Sequence, residues 1–369
     1  MATSGAGTSA HEQGLLDAAQ GGDEDAYRRL LEPYRRELHA HCYRMLGSVH
    51  DAEDALQETS LRAWRGLGRF ERRSSLRSWL YTIATNTCLN AIAKRPKRVL
   101  PIDYGPATDP HDGLALPLAE TVWIEPYPDE TLGLPDGYAA PDARYEQRES
   151  VELAFVASLQ HLPATQRAVL ILREVLGFSA REVAATLETT VASVNSALQR
   201  ARKTIDERLP ERSQQATLRS LGDRRLREIV EGYIDAMQRG DVERVVSMLA
   251  EEAAWSMPPL PCWFGGRDGI TGFLARGPLS GAWRWRHLPA RVNGQAAVAV
   301  YSWDAREGAF LPFALDVLTL EGERIKEVTA FITRSSESRE RSFYERWPDQ
   351  PLHPTRVVFG RFGLPDRLP

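Results

Sequence analysis

Prolines 101, 106, 110, 117, 126, 128, 135 and 141 all fall within residues 99–143, among acidic residues and with hardly a base. Neither a long helix nor a central strand tolerates so many residues without an N–H donor. That segment therefore reads as neither a helix nor a central strand. The chain's length of 369 residues calls for two or three domains. The proline-rich segment reads as a long, extended, negatively charged linker. Helical periodicity lies on both sides of it.

Residues 1–13 are small and polar, and disorder is expected there. Residues 14–95 carry apolar positions at helical spacing. Asp23 is a candidate N-cap ahead of Ala26, Leu30 and Leu31. A next helix places Leu38, Cys42, Met45 and Leu46 on one face. Ser48 caps a third, with Ala52, Ala55, Leu56 and Thr59 inward. A fourth begins at Ser74 or Ser75 and turns Leu76, Leu80, Ile83, Ala84 and Leu89 inward. Pro96 marks a break.

The formal net charge of -4 hides a segregation. Between Arg62 and Arg98 the bases Arg62, Arg65, Arg69, Arg72, Arg73, Arg77, Lys94, Arg95, Lys97 and Arg98 face only Glu71. That excess suits a phosphate backbone. Just before it, Asp51, Glu53, Asp54, Gln57 and Glu58 form an acidic helical face. Alone, such a face reads as solvated. Its neighbour changes the reading, because Trp64, Phe70, Trp79 and Tyr81 alternate with arginines. Aromatics among arginines can stack on unpaired bases while holding phosphates. Trp64 and Leu80 read as core, whereas Phe70 borders a polar loop. Asn86 and Asn90 are either solvated or able to pair with a base edge.

A second helical block occupies residues 144–210. Ser179 and Glu182 form a capping box, Glu188-Thr189-Thr190 a turn, and Val191–Ile205 a second helix. Val183, Ala184, Leu187, Val194 and Leu198 join the pair. Ala192, Ser193, Asn195, Ser196, Gln199, Arg200, Arg202 and Lys203 point outward. This is a helix-turn-helix, whose second helix lies in the major groove.

Residues 222–334 begin helical and then alternate like strands, at Ala297–Trp303, Phe313–Leu320 and Ile325–Ile332. Glu321-Gly322-Glu323 signals a hairpin between the last two. Residues 335–369 form a tail whose apolar FGRFGLP needs a partner surface, expected to be the chain's own helical core. Cys42, Cys88 and Cys262 make no CxxC pair and no zinc spacing. No metal, cofactor or disulfide is expected. No signal pattern or bilayer-length apolar run is visible, so a cytoplasmic protein with no membrane partner is expected.

Two motifs carry a family resemblance. DAED-x-x-QE, then LRAW, RF and SSLRSWLY-x-IA-x-N, resemble region 2 of the sigma-70 family, in its extracytoplasmic-function (ECF) group, over residues 14–98. LPATQRAVLILREVLGFSAREVA resembles sigma region 4. The resemblance implies a bacterial RNA polymerase core partner, engaged through the β′ coiled coil and the β flap, and promoter DNA. Asp51, Asp54, Gln57 and Glu58 would bind polymerase. Phe70, Trp79, Ile83 and Asn86 would capture a flipped −10 base. Arg72, Arg73, Ser74, Ser75, Arg77 and Asn90 would complete that site. Ser193, Asn195, Ser196, Gln199, Arg200 and Lys203 would read the −35 element. Many relatives carry a base where this chain has Ala197, and contacts would shift to its neighbours. The linker would thread a polymerase channel or act as a tether, with Trp123–Tyr127 as its binding stretch.

Tyr233–Met257 and GGRDGITGFL resemble a SnoaL-like, nuclear-transport-factor type cone. The implied architecture is two all-α domains plus a C-terminal α+β cone. Tyr233, Trp255, Met257, Trp263, His287, Asp316 and Phe331 would line a pocket for a small molecule. Against the related ketosteroid isomerase, Tyr233 and Asp316 match the oxyanion-hole pair, but the base position holds Met257, which carries no proton. His287 could substitute, but a lone His beside Trp283 and Trp285 reads as packed or solvated; no catalytic residue is expected, and the cone would regulate in cis. Two other classes compete: an isomerase or cyclase domain fused to a DNA-binding region, and a plain helix-turn-helix repressor.

Overall fold

The computed structural model describes residues 10–112, 114–115, 122–132, 149–210, 212–333 and 359–369. Its elements run in the order α1 Ala10–Gln20, α2 Glu24–Leu46, α3 Val49–Leu67, α4 Leu76–Ile92, α5 Pro101–Tyr104, α6 Leu153–Gln160, α7 Ala164–Leu170, α8 Ala180–Thr186, α9 Val191–Asp206, α10 Gln214–Arg239, α11 Val242–Met248, β1 Leu249–Ser256, β2 Trp263–Gly265, α12 Gly266–Arg276, β3 Trp285–Val292, β4 Gln295–Asp304, β5 Ala309–Glu321 and β6 Arg324–Ile332. They form two compact units. One comprises Met1–Arg95 and Leu159–Glu207, the other Pro96–Ser158 and Arg208–Pro369.

In the first unit the caps fall where the sequence puts them. Asp23 accepts from the N–H groups of Asp25 and Ala26, Ser48 from Asp51, and Ser75 from Ser78. Each satisfies an end donor that the helix cannot bond itself. α1 begins at Ala10, inside the stretch expected to be disordered, and Tyr34 Oη donates to its Glu12 at 3.2 Å. The two helices expected around residues 26–46 are one. α2 runs through Pro33, because Ala26, Leu30, Leu31, Leu38, Cys42 and Met45 form one continuous buried stripe. α7 continues into a π-helical turn, Ile171–Val175.

α2 and α4 pack directly against the second helical block. Buried Arg167 on α7 donates to the carbonyls of Met45, Gln160 and Leu162 and to the Gln160 amide oxygen. Gln160 Nε2 donates to the Arg44 carbonyl at 3.2 Å. Thr82 and Thr186 share a hydrogen bond of 3.1 Å, and the Tyr81 and Phe178 rings meet edge to face at 5.2 Å.

The second unit holds one six-stranded sheet, order β2-β1-β6-β5-β4-β3. Only β1 and β6 are parallel. The β5–β6 hairpin turns at Gly322-Glu323, with Gly322 at φ 57°. A second hairpin, β3–β4, turns at Asn293-Gly294, both at positive φ. Residues paired across strands share a face. Val298, Asp316 and Ala330 therefore look one way, towards α10, and Ala299, Leu315 and Phe331 look the other way.

The linker is not an extended tether in its described stretches. It is folded into the second unit. Val99 bridges Trp123, Pro128 bridges Val292, and Trp123, Ile124 and Tyr127 are buried. Asn293 makes the join. Its Oδ1 accepts from Tyr127 N–H at 2.8 Å, its own N–H donates to Tyr127 O at 2.9 Å, and its Nδ2 donates to Val151 O at 2.7 Å. Prolines suit this arrangement, since the bonds run through scattered backbone groups and not a ladder. The Trp123–Tyr127 stretch, expected to bind a partner, is thus occupied within the chain.

The apolar tail also finds a surface, though not the helical core expected for it. Phe359 is fully buried and meets Tyr301 at 5.2 Å, Tyr301 Oη donates to Pro365 O at 3.0 Å, and Phe310 bridges Leu368. The reason is the sheet's second face, whose strand residues are apolar and need cover.

Candidate functional site

α4 carries two faces. Trp79, Ile83, Asn86 and Asn90 recur at spacings of four, three and four, which aligns them in one stripe. The first three are half-buried and Asn90 is exposed. Ile83, read from the sequence both as inward and as a site residue, sits at this margin. Phe70 is only 8% exposed and packs against Trp79, 4.8 Å between centroids with the rings tilted by 31°. The two rings floor the upper end of the stripe.

The loop above it is charged and open. Arg72 pairs with Asp17 and, at 2.9 Å, with Gln20 Oε1. Arg73 pairs with Glu71, and Ser74 is exposed. Ser75 is spent on capping α4. Arg77 lies across the helix from the stripe. It bonds Glu37 at 3.1 Å, and its guanidinium stacks 4.9 Å from both the Tyr81 and Phe178 rings. Arg77 thus ties the helical blocks together and is not grouped with the other −10 candidates.

On α3, Asp54, Gln57 and Glu58 share an accessible face. Leu61 completes it, 50% exposed. Sequence reading missed this leucine, although its spacing from Asp54 and Glu58 was visible. Asp51 stands apart. It is 8% exposed and paired with Arg95.

The helix-turn-helix has its capping box, with Ser179 Oγ accepting from Glu182 N–H and Glu182 Oε2 from Ser179 N–H. Glu188 takes a positive φ of 50° in the turn, and Thr190 caps α9. Ser193, Asn195, Ser196, Gln199, Arg200 and Lys203 are all exposed. Val194, Ala197 and Leu198 are buried behind them. Ala197 packs inward, so the missing base there removes no outward contact. Val191, 42% exposed at the first turn, is an apolar group the sequence reading left out. A groove of about 690 Å³ runs beside α9, lined by Arg173, Asn195, Gln199, Arg202 and Lys203 among others.

In the cone, Tyr233 Oη donates to Asp316 Oδ2 at 2.9 Å, both out of solvent. Burial pushes Asp316 up to about 7, with the Tyr233 bond opposing, and lifts Tyr233 well above the phenol range. Trp255, 6.3 Å from Tyr233, and Met257 join the same buried cluster. His287 is buried too, and desolvation lowers it to about 4. Phe331 and Trp263 do not join this group. Phe331 sits in register with Leu315, on the sheet's other face, and Trp263, opposite Ser256, donates through Nε1 to Gly105 O of the linker.

Among the described residues no cluster of His, Cys, Asp or Glu could hold a metal ion, and no helix is long and apolar enough to cross a membrane.

Sigma-70 region 2 matches residues 30–98, sigma-70 region 4 residues 152–205, and a SnoaL-like domain residues 230–328. Over 340 residues the chain is 41% identical to the ECF RNA polymerase sigma factor SigG of Mycobacterium tuberculosis, covering 91% of this chain and 83% of that protein. The chain belongs to the ECF sigma factors. It is also 30% identical over 190 residues to the ECF sigma factor SigW of Bacillus subtilis, covering 51% of this chain and 91% of SigW. The crystal structure of M. tuberculosis ECF sigma factor SigJ has the same fold, with a TM-score of 0.52 at 22% identity, covering 88% of this chain and 99% of that one. In this chain two helical sigma regions precede a SnoaL-like sheet domain.

Proposed function

We propose that this ECF sigma factor binds bacterial RNA polymerase core, opens promoters at the −10 element, reads the −35 element and is regulated in cis by its SnoaL-like domain. The observation that carries the reading is the α4 stripe. Two packed rings, Phe70 and Trp79, lead into Ile83, Asn86 and Asn90 beneath an exposed arginine loop. A flipped base needs a flat apolar seat, an amide for its edge and a cation for its phosphate, and the stripe supplies all three. Its unstacking costs a few kcal/mol, roughly, and such a seat recovers that.

The polymerase contact is the Asp54, Gln57, Glu58 and Leu61 face, towards the β′ coiled coil. Asp51 supports it indirectly by fixing Arg95. On α9, Ser193, Asn195, Ser196 and Gln199 meet base edges, Val191 suits a thymine methyl, and Arg200 and Lys203 suit phosphates. A β-flap contact belongs to the same region.

Cis control runs through the linker. Residues Pro96–Ser158 join region 2 to region 4, and their described stretches fold with the cone. While they are docked, the reach between the two readers is limited, and undocking lengthens the tether. The cone itself has no catalytic role. Met257, at the expected base position, is 2% exposed and packed in the core.

The test is run-off transcription with core polymerase and the full chain, on duplex and pre-melted promoters. Asn86→Ala should fail on duplex DNA and recover on the bubble. Equal loss on both templates would refute strand capture. Asn293→Gly keeps the positive-φ turn, removes both side-chain anchors of the linker and should change output several-fold. Unchanged output would sink control through the linker.

A further inference from the structure

α1 lies ahead of residues 30–98, the stretch that matches sigma-70 region 2. Leu16 and Ala19, each 3% exposed, seat it against α2, and Tyr34 Oη holds its first turn through Glu12. Its last residue is Gln20, half-buried. Gln20 Nε2 donates to Leu67 O and to Phe70 O, each at 3.0 Å, and Oε1 accepts from Arg72 Nη2 at 2.9 Å. A side-chain amide has two N–H donors and one carbonyl oxygen, and all three find partners here between α3 and α4. The reversed amide would set its oxygen against two carbonyls and its NH₂ against a guanidinium, so the network fixes the orientation.

The two carbonyls are the ends of one turn. Phe70 N–H donates to Leu67 O at 3.0 Å, and Leu67 is the last residue of α3. Gln20 bridges those ends and so sets the direction in which Phe70 leaves the helix. Arg72, two residues on, takes a φ of 59°. A residue other than glycine keeps that conformation where its surroundings impose it. Among the described residues the side-chain partners of Arg72 are Asp17 and Gln20, three apart on one face of α1. Both bond Nη2, which leaves Nε and Nη1 of an exposed guanidinium for a phosphate.

We propose that Gln20 is a positioning residue for −10 recognition: it braces the Leu67–Phe70 turn and Arg72 in the arrangement in which Phe70 seats the captured base and Arg72 meets the neighbouring phosphate. That role rests on strand capture by the α4 stripe. Gln20 acts through Phe70 and Arg72 and touches no DNA. A seat for a flat base works only while ring and cation keep their spacing, and a displacement of about 1 Å forfeits much of the gain. The loop has little of its own to keep that spacing, since Gly68 ends α3 and Arg73 and Ser74 are exposed. α1 supplies the rigid support, so −10 preference is set in part by a helix outside the motif that reads the base.

The test is transcription by the full chain with core polymerase, on a promoter panel carrying every base at each −10 position. Gln20→Met keeps the length of the side chain and loses all three bonds. Its preference at the captured position should fall about 10-fold, with −35 preference as in the parent chain. Gln20→Lys puts an ammonium within reach of both carbonyls and should recover most of that preference. Unchanged preference in Gln20→Met, or a uniform loss across the panel, overturns the positioning role. Failure of the lysine to recover preference overturns the brace on the turn. A second readout reports the base itself: 2-aminopurine beside the captured position of a forked template should brighten with saturating parent chain or Gln20→Lys and much less with Gln20→Met, and equal brightening with all three overturns the role. Asn86→Ala separates the two possible failures. If it keeps the parent preference, strand capture fails and the role of Gln20 falls with it. If it loses preference while Gln20→Met does not, the positioning role alone fails.

Discussion

In the unit that carries sigma regions 2 and 4, the chemistry faces outward: the loop arginines, Asp54 and Glu58 of α3 and the polar positions of α9 are solvent-accessible. In the SnoaL-like unit it faces inward. Glu152, Tyr233, His287 and Asp316 are each under 5% exposed. The difference predicts how substitutions behave. An outward residue can be lost at little cost to folding and much cost to a macromolecular contact. An inward ionisable group ties stability to pH. A substitution that crosses this division breaks the comparison.

The largest effect is expected at the half-buried residues of the α4 stripe. Trp79→Ala removes the ring beneath Phe70, and Asn86→Ala removes the amide. Single-round transcription from duplex promoters should fall about 100-fold for Asn86→Ala, the scale of the few kcal/mol needed to flip a base. Its thermal unfolding should match the parent chain. A matching loss of folding would place Asn86 with the inward groups.

Next in size is the pH response of the cone unit. Glu152 accepts from the N–H groups of Gln214 and Gln215, yet burial pushes it up to about 7, the value also reached by Asp316. Both folded values lie above the unfolded ones. The folded state therefore holds more protons between about pH 4 and 7, and these groups favour folding most at low pH. That contribution disappears as pH rises through 7. His287, lowered to about 4, opposes them below about 6.5. The two carboxyls outnumber it. Unfolding of the cone, followed by calorimetry from pH 5 to 8, should lose roughly 1–3 kcal/mol, and Asp316→Asn should flatten the curve. A stability that rises across that range would show that the carboxyls are not the governing groups.

How much of this was legible depended on the range of the interactions. The caps at Asp23, Ser48 and Ser75 and the box at Ser179 and Glu182 are local, and sequence located them. The α4 stripe needs only helical spacing. The linker was misread because its anchors lie far along the chain: Tyr127 bonds Asn293, and no composition rule foresees that. Trp263 and Phe331 were grouped with Tyr233 because they are aromatic, while the faces they occupy depend on register, which a period of two reverses with a single-residue slip. The β3–β4 hairpin was readable, since Asn293-Gly294 is a strong turn signal, and was passed over.

A smaller effect is expected at α9. Gln199→Ala and Asn195→Ala each remove one outward amide while Val194 and Leu198 hold the helix in place. Each should cost about 1–3 kcal/mol at the base it reads. Transcription from a panel of −35 variants should fall about 10-fold and lose preference at one position. Lys203→Ala should instead weaken all sequences alike and lower the salt dependence. If Gln199→Ala behaves like Lys203→Ala, α9 holds the backbone without reading the groove.

The smallest effect tests whether an outward residue can act through folding alone. Ser179 is exposed and touches no expected DNA contact, but its hydroxyl accepts from Glu182 N–H at 3.2 Å and its amide donates to Glu182 at 2.8 Å. Ser179→Ala should cost about 1 kcal/mol of stability, the usual value of an N-cap. Since α8 and α7 pack against α4 in the same unit, that loss should lower the unfolding midpoint without changing −35 preference. Restoring the cap with Ser179→Asp should restore the midpoint, because aspartate accepts the same bond and favours a helix N-terminus. Failure of the aspartate to rescue would mean that the hydroxyl has a partner beyond the helix, and that the outward surface of region 4 extends to α8.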